Sequence, residues 1–82
     1  MSGEETRDLV IQMLHRVARG GVPDPLDDDI PLNQQIHLDS MDFLDLAIEI
    51  RKQTNVMIPE AEFRTLRTLG SLVDYISPRR TK

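Results

Sequence analysis

Eighty-two residues, 39% of them hydrophobic and with no Trp, one Tyr and two Phe, predict one small domain that hides only roughly 60–65% of its unfolded surface and has little wall for a deep catalytic cleft. The absence of cysteine excludes disulfides, a thiolate nucleophile and a Cys-based metal site, and His15 and His37 are too few for a zinc site without such partners. The net charge of −4 is uneven: residues 1–23 balance, residues 24–62 set ten acids against only Arg51 and Lys52, and residues 63–82 are basic, so the acidic middle repels nucleic acid and attracts basic protein surfaces.

The first helix is expected to open on a capping box, with Ser2 as N-cap and Glu5 three residues on. Leu9, Val10, Met13, Leu14 and Val17 then recur at helical spacing and form a core face. Arg16 and Arg19 suit the negative helix end, and Gly20-Gly21 ends it. Glu4 and Glu5 stand where a signal peptide would be basic, and no apolar run reaches the about 20 residues of a membrane span. A cytoplasmic protein is expected.

From Val22 to Leu38 the periodicity dissolves. Pro23, Pro25 and Pro31 with Asp27, Asp28 and Asp29 break regular structure, while Ile30, Leu32, Ile36 and Leu38 are candidate anchors for a long loop. Connections of this length tend to carry function. A second helix is predicted over Ser40–Gln53, and a short one over Glu60–Phe63, with Pro59 at its first position. The last helix is capped by Thr68, buries Leu69, Leu72, Val73 and Ile76, and ends before Pro78. The tail 78–82 reads as a disordered, solvated terminus. The sum is an all-α, small four-helix bundle, three main helices plus one short helix, with a long first loop.

The second helix has the least ordinary pattern. With Met41 at zero and about 100° per residue, Phe43, Leu46, Ala47 and Ile50 form a core stripe. Met41, Leu44 and Ile48 lie almost opposite, and Asp42, Asp45 and Glu49 lie between the two. A helix in so small a bundle can hardly bury both apolar stripes, so a strip edged by carboxylates suits a partner that presents apolar residues ringed by Arg or Lys. The pattern alone leaves open whether that strip docks a partner or lies under the first loop.

The helix opens on Leu38-Asp39-Ser40-Met41-Asp42, which closely resembles the Asp-Ser-Leu signature of acyl and peptidyl carrier proteins. Met41 replaces the commoner Leu, a volume-conserving change. The context also resembles that family: an N-terminal helix, a Pro/Asp loop, Val56-Met57-Ile58-Pro59-Glu60, and the closing run from Thr68 to Ile76. The resemblance implies one phosphopantetheine-binding domain over 1–82, with 4′-phosphopantetheine from coenzyme A attached to Ser40. Asp39 would help orient the modifying complex, and Met41, Asp42, Leu44, Asp45, Ile48 and Glu49 would dock partners. A phosphodiester at a helix N-terminus would also meet backbone N–H donors. Ser40 itself is a candidate N-cap.

Carriers of this kind are not enzymes. They serve a phosphopantetheinyl transferase, an acyl- or aminoacyl-loading ligase and downstream transferases in fatty acid or secondary metabolite synthesis, here as a cytoplasmic monomer. Two departures set this chain apart: His37 stands where the family usually has glycine, and Arg51-Lys52 where fatty-acid carriers usually have acids. With Asp39–Leu44 and Ile58–Phe63, these point to a specialised carrier, including those loaded with amino acids. A solvated or capping role suits His37 better than catalysis. The competing reading is a non-covalent helical adaptor with an unmodified Ser40. An enzyme is the poorest reading, since Ser40 has no evident base or oxyanion partner.

Overall fold

The computed structural model describes residues 3–18 and 20–80. Among these described residues five helices follow in chain order: α1 (Gly3–Val17), α2 (Leu32–Gln35), α3 (Ser40–Thr54), α4 (Glu60–Phe63) and α5 (Leu69–Ile76). No strand occurs among the described residues; the extended pairing is a single bridge between Pro31 and Thr68. The expected all-α architecture holds. The proposed N-cap Ser2, and Arg19 at the end of α1, lie outside the described residues.

α1 turns Thr6, Val10, Met13 and Leu14 inward and packs against α3 and α5. Leu9 and Val17 are only half-buried, so the buried stripe is rotated slightly from the one that Leu9–Val17 defined. The rotation brings in Thr6, a polar residue that hydropathy cannot select. Its hydroxyl accepts from Arg80 Nη1 at 3.2 Å, which satisfies an otherwise costly buried oxygen.

α2 is an addition to the expected bundle. It lies within the segment read as irregular, where one turn is too short to show a period. Leu32 and Ile36, four residues apart, are both buried, so a single helical turn presents both anchors to the core. The rest of the connection is held by polar contacts rather than by regular structure. Gln35 donates to the carbonyls of Asp27 and Ile30, both at 2.8 Å, and accepts from the Asp27 amide. Arg7 grips Asp28 through Nε and Nη2 at 2.8–3.1 Å and also donates to the Leu26 carbonyl. The Asp28 carbonyl in turn accepts from the Gly70 amide at 3.0 Å, and Leu32 donates to the Arg67 carbonyl at 2.8 Å. A Cβ at residue 70 would stand 3.1 Å from that Asp28 oxygen, so glycine permits the close approach.

α3 starts at Ser40 as expected and runs one residue further, to Thr54. There the Thr54 hydroxyl donates back to the Ile50 carbonyl at 2.6 Å, and Asn55 takes a left-handed conformation (φ 59°) that closes the helix. Pro59 occupies the N-cap of α4 rather than its first helical position. Thr68 caps α5 as expected, in a reciprocal capping box with Ser71. Leu46, Ile50, Leu69, Leu72 and Ile76 complete the core with the α1 residues.

Residues 77–80 follow directly on the end of α5. The Arg79 and Arg80 amides continue onto the Ile76 carbonyl. The Arg80 guanidinium reaches Thr6 and Glu5, which anchors the chain end against α1.

The two apolar stripes of α3 differ sharply in environment: Ile50 is fully buried and Ile48 is 46% exposed. Ile50→Ala should therefore lower stability by about 2–5 kcal/mol, whereas Ile48→Ala should cost well under half as much. Urea unfolding followed by circular dichroism distinguishes them.

Candidate functional site

The loop before α3 ends on Asp39, and the helix itself explains how Ser40 is presented. Asp39 is the N-cap: its carboxylate accepts from the Asp42 amide at 2.9 Å, while the Asp42 carboxylate accepts from the Asp39 amide at 3.2 Å. This reciprocal pair corrects the reading of Ser40 as a cap. Ser40 is the first residue of the helix, exposed, with its hydroxyl not needed to start α3.

The same pair corrects the placement of Asp42. Only 2% of Asp42 is exposed, because it closes the capping box at the border of the core side of α3. The other two acids of that row also differ from one another. Asp45 is exposed, whereas Glu49 is half-buried and held by Arg16 of α1 and by Gln53, each at 3.1 Å. The Gln53 hydrogen bond and, next, the one from Arg16 hold the Glu49 carboxyl below the usual glutamate range. Arg16, Val17, Asp42, Asp45, Ile48, Glu49 and Lys52 line a shallow depression where α1 meets this side of α3.

The opposite stripe stands in solvent as the periodicity suggested. Met41 is 61% exposed, Leu44 55% and Ile48 46%. The first loop does not cover it.

A further surface follows from the helical spacing of Ser40, Phe43, Leu44 and Ala47. Together they form one wall of a groove of about 440 Å³. Ile58, Phe63 and Leu66 form the facing wall, with Asn33, Glu60, Arg64 and Arg67 also at the lining. Phe43 and Phe63 meet edge to face, with ring centroids 5.9 Å apart. The sequence reading placed Phe43 and Ala47 in the core. They are half-buried because α4 is a single turn and cannot close over them. Recurrence at i, i+3, i+4 and i+7 from Ser40 is the signal for this wall; the facing residues, spread from the α3–α4 connection to the segment after α4, share no period. His37 is exposed on the loop, beside Gly20.

The family model described as a phosphopantetheine attachment site matches residues 7–76, from α1 to the end of α5. The chain belongs to this family. Among similar proteins is "Acyl carrier protein 2" of Ralstonia nicotianae, 38% identical over 42 residues, which are 51% of this chain and 52% of that protein. The chain thus spans about half the length of the curated relative it matches. Members of the acyl carrier protein family are carriers rather than catalysts, and the group they carry is 4′-phosphopantetheine. In this member, no helix among the described residues is long and apolar enough to cross a membrane.

The Glu49 environment gives a direct test. A carboxylate with a lowered folded-state pKa contributes stability above its unfolded pKa, and that contribution is lost as pH falls through the lowered value. Arg16→Ala should move the Glu49 titration upward, toward the ordinary range, because a hydrogen bond and a nearby cation are both lost. Carboxyl chemical shifts followed from pH 2 to 7 in both proteins measure the change.

Proposed function

We propose that this chain is a carrier, with one phosphopantetheine-binding domain over 1–82, whose Ser40 bears the 4′-phosphopantetheine arm and presents acyl or aminoacyl thioesters to partner enzymes. The observation that carries the reading is Ser40 itself. A primary hydroxyl stands exposed at the first position of α3, relieved of capping by Asp39, within the Asp-Ser-Met sequence and beside an apolar groove. The fit to the group is good on both counts: an accessible acceptor oxygen, and an apolar surface within a short distance of it. The bound arm would supply the thiol that the cysteine-free chain lacks.

Ser40 Oγ would form the new phosphoester bond to the pantetheine-side phosphorus of coenzyme A as that phosphorus loses its bond to the bridging pyrophosphate oxygen. The nucleotide half leaves, and the hydroxyl proton passes to the transferase. Asp39 contributes by fixing the helix start and faces the modifying complex.

Partners in this proposal are a phosphopantetheinyl transferase, a loading ligase and downstream transferases, met in the cytoplasm by a monomeric carrier. The docking surface is the exposed strip of Met41, Leu44 and Ile48, with Asp45 as its open acid. Glu49 contributes where a basic partner residue displaces Arg16. Arg51 and Lys52, exposed at the far end of α3, favour a specialised partner over fatty-acid enzymes.

Incubation with coenzyme A and a broad-specificity transferase should add one phosphopantetheine to the wild type and none to Ser40→Ala, read by intact mass. A wild type that stays unmodified with several competent transferases overturns the carrier reading in favour of a non-covalent adaptor. Modification of Ser40→Ala would instead show that another residue carries the arm.

Rim charges act on encounter rate, and apolar contacts on complex lifetime. Asp45→Lys should slow association with the transferase, most at low ionic strength. Leu44→Ala should speed dissociation with little dependence on salt. Stopped-flow or surface-binding kinetics at two salt concentrations separate the two effects.

A further inference from the structure

The environment of Ser40 is electrostatically lopsided. On the side of the helix start stand two carboxylates. Asp39 occupies the Asp42 amide, and Asp42, almost fully buried, occupies the Asp39 amide. The Phe43 amide is taken by the Asp39 carbonyl at 3.1 Å. Two of the donors at the positive dipole end, the Asp39 and Asp42 amides, are thus already matched by fixed negative charge. A phosphodiester on Ser40 Oγ would stand beside two carboxylates there, which weakens the pull of the helix end on an anion.

The groove side carries the opposite sign. Arg64 and Arg67, one helical turn apart in sequence, are exposed and line the same groove as Ser40. The ion pair of Arg64 with Glu60 is long, at 3.5 Å, and its side chains are 76% and 78% exposed, so it holds the guanidinium only weakly. Arg67 donates Nε to the Arg64 carbonyl at 3.4 Å, a neutral acceptor that leaves its charge unmatched. Guanidinium groups bind phosphate oxygens in a paired, directional geometry.

We propose that Arg64 and Arg67 are positioning residues for the phosphodiester of the prosthetic arm, drawing it away from the carboxylate-capped start of α3 and across the groove. The proposal rests on the reading of Ser40 as the attachment residue. It gives the basic segment 63–82 a task at the site, and it makes the resting place of the arm a matter of charge as well as of apolar contact. The arm then lies over Phe43, Leu44 and Phe63 at low ionic strength and is released as salt screens the two arginines.

The test begins with conversion to the holo form, verified by intact mass. A protein that never gains the arm counts against the Ser40 reading and not against the two arginines. With holo protein in hand, the Nε–Hε signals of Arg64 and Arg67 should shift from apo to holo more than that of the control Arg51, and the shifts should shrink at high salt. The arm's thiol should also react with a neutral alkylating reagent several-fold faster in an Arg64→Glu/Arg67→Glu variant. Arg64→Lys/Arg67→Lys should lie closer to wild type. The ³¹P signal of the phosphodiester should move in the Glu variant and not in Arg51→Glu. Verified holo protein whose Arg64 and Arg67 signals stay with the control, and whose thiol reactivity ignores the charge reversal, overturns the proposal.

Discussion

Asp28 is the contact on which the placement of the site depends. Its carboxylate is gripped by Arg7 of α1, and its carbonyl accepts the Gly70 amide at the start of α5. One residue thus ties the long connection to two helices that are distant from it in sequence. Leu32 adds a second stitch through the Arg67 carbonyl. A connection of this length would otherwise sample many conformations, and Ser40 lies at its end. The ion pair with Arg7 is partly exposed and contributes modestly by itself. Its consequence is geometric, because it sets where α2 lies and hence where Asp39 can begin α3.

From that starting point α3 works as a four-sided post. Leu46 and Ile50 face the core, and Phe43 and Ala47 form a groove wall with Ser40 at its upper end. Met41, Leu44 and Ile48 face solvent. The remaining side meets α1, where Arg16 answers Glu49 and Asp42 is sealed beneath the capping box. The four environments arise because the bundle is too thin to surround one helix completely: α1 covers one flank, the one-turn α4 covers another imperfectly, and nothing among the described residues covers the third. A fuller bundle would bury the exposed stripe and the groove together.

How much of this was legible in the sequence depends on the kind of interaction. Apolar periodicity placed α1, α3 and α5 within a residue or two, since each buries a stripe long enough to show a period. It separated Ile50 from Ile48, which the two environments match. Cap chemistry found Thr68 but chose Ser40 where Asp39 serves, because two neighbouring residues both had the oxygen that a cap requires. Asp42 was misplaced for a related reason: at about 100° from Met41, it lies near the core edge, and charge alone suggested solvent. α2 escaped because one turn shows no period. The grip of Arg80 on Thr6 escaped because it joins residues at opposite ends of the chain. Pairings of that separation leave no local trace.

The charge pattern takes on a different meaning once the chain is folded. By composition the middle of the molecule is strongly acidic and the end basic, which suggests two separated fields. In the fold much of that charge is matched locally. Arg7 meets Asp28, Arg16 meets Glu49 and Arg80 meets Glu5, while Asp39 and Asp42 are taken up by amides at the head of α3. What an approaching surface meets along α3 is narrower than the composition implies: an apolar strip, one open acid at Asp45, and two cations at Arg51 and Lys52. Such a surface discriminates by shape and by the sign of charge at each end rather than by bulk acidity. On the docking reading proposed above, Arg16 adds a further condition, since a basic partner group would compete with a cation already seated on Glu49. Partner choice would then be partly written into α1, a helix that carries none of the exposed strip.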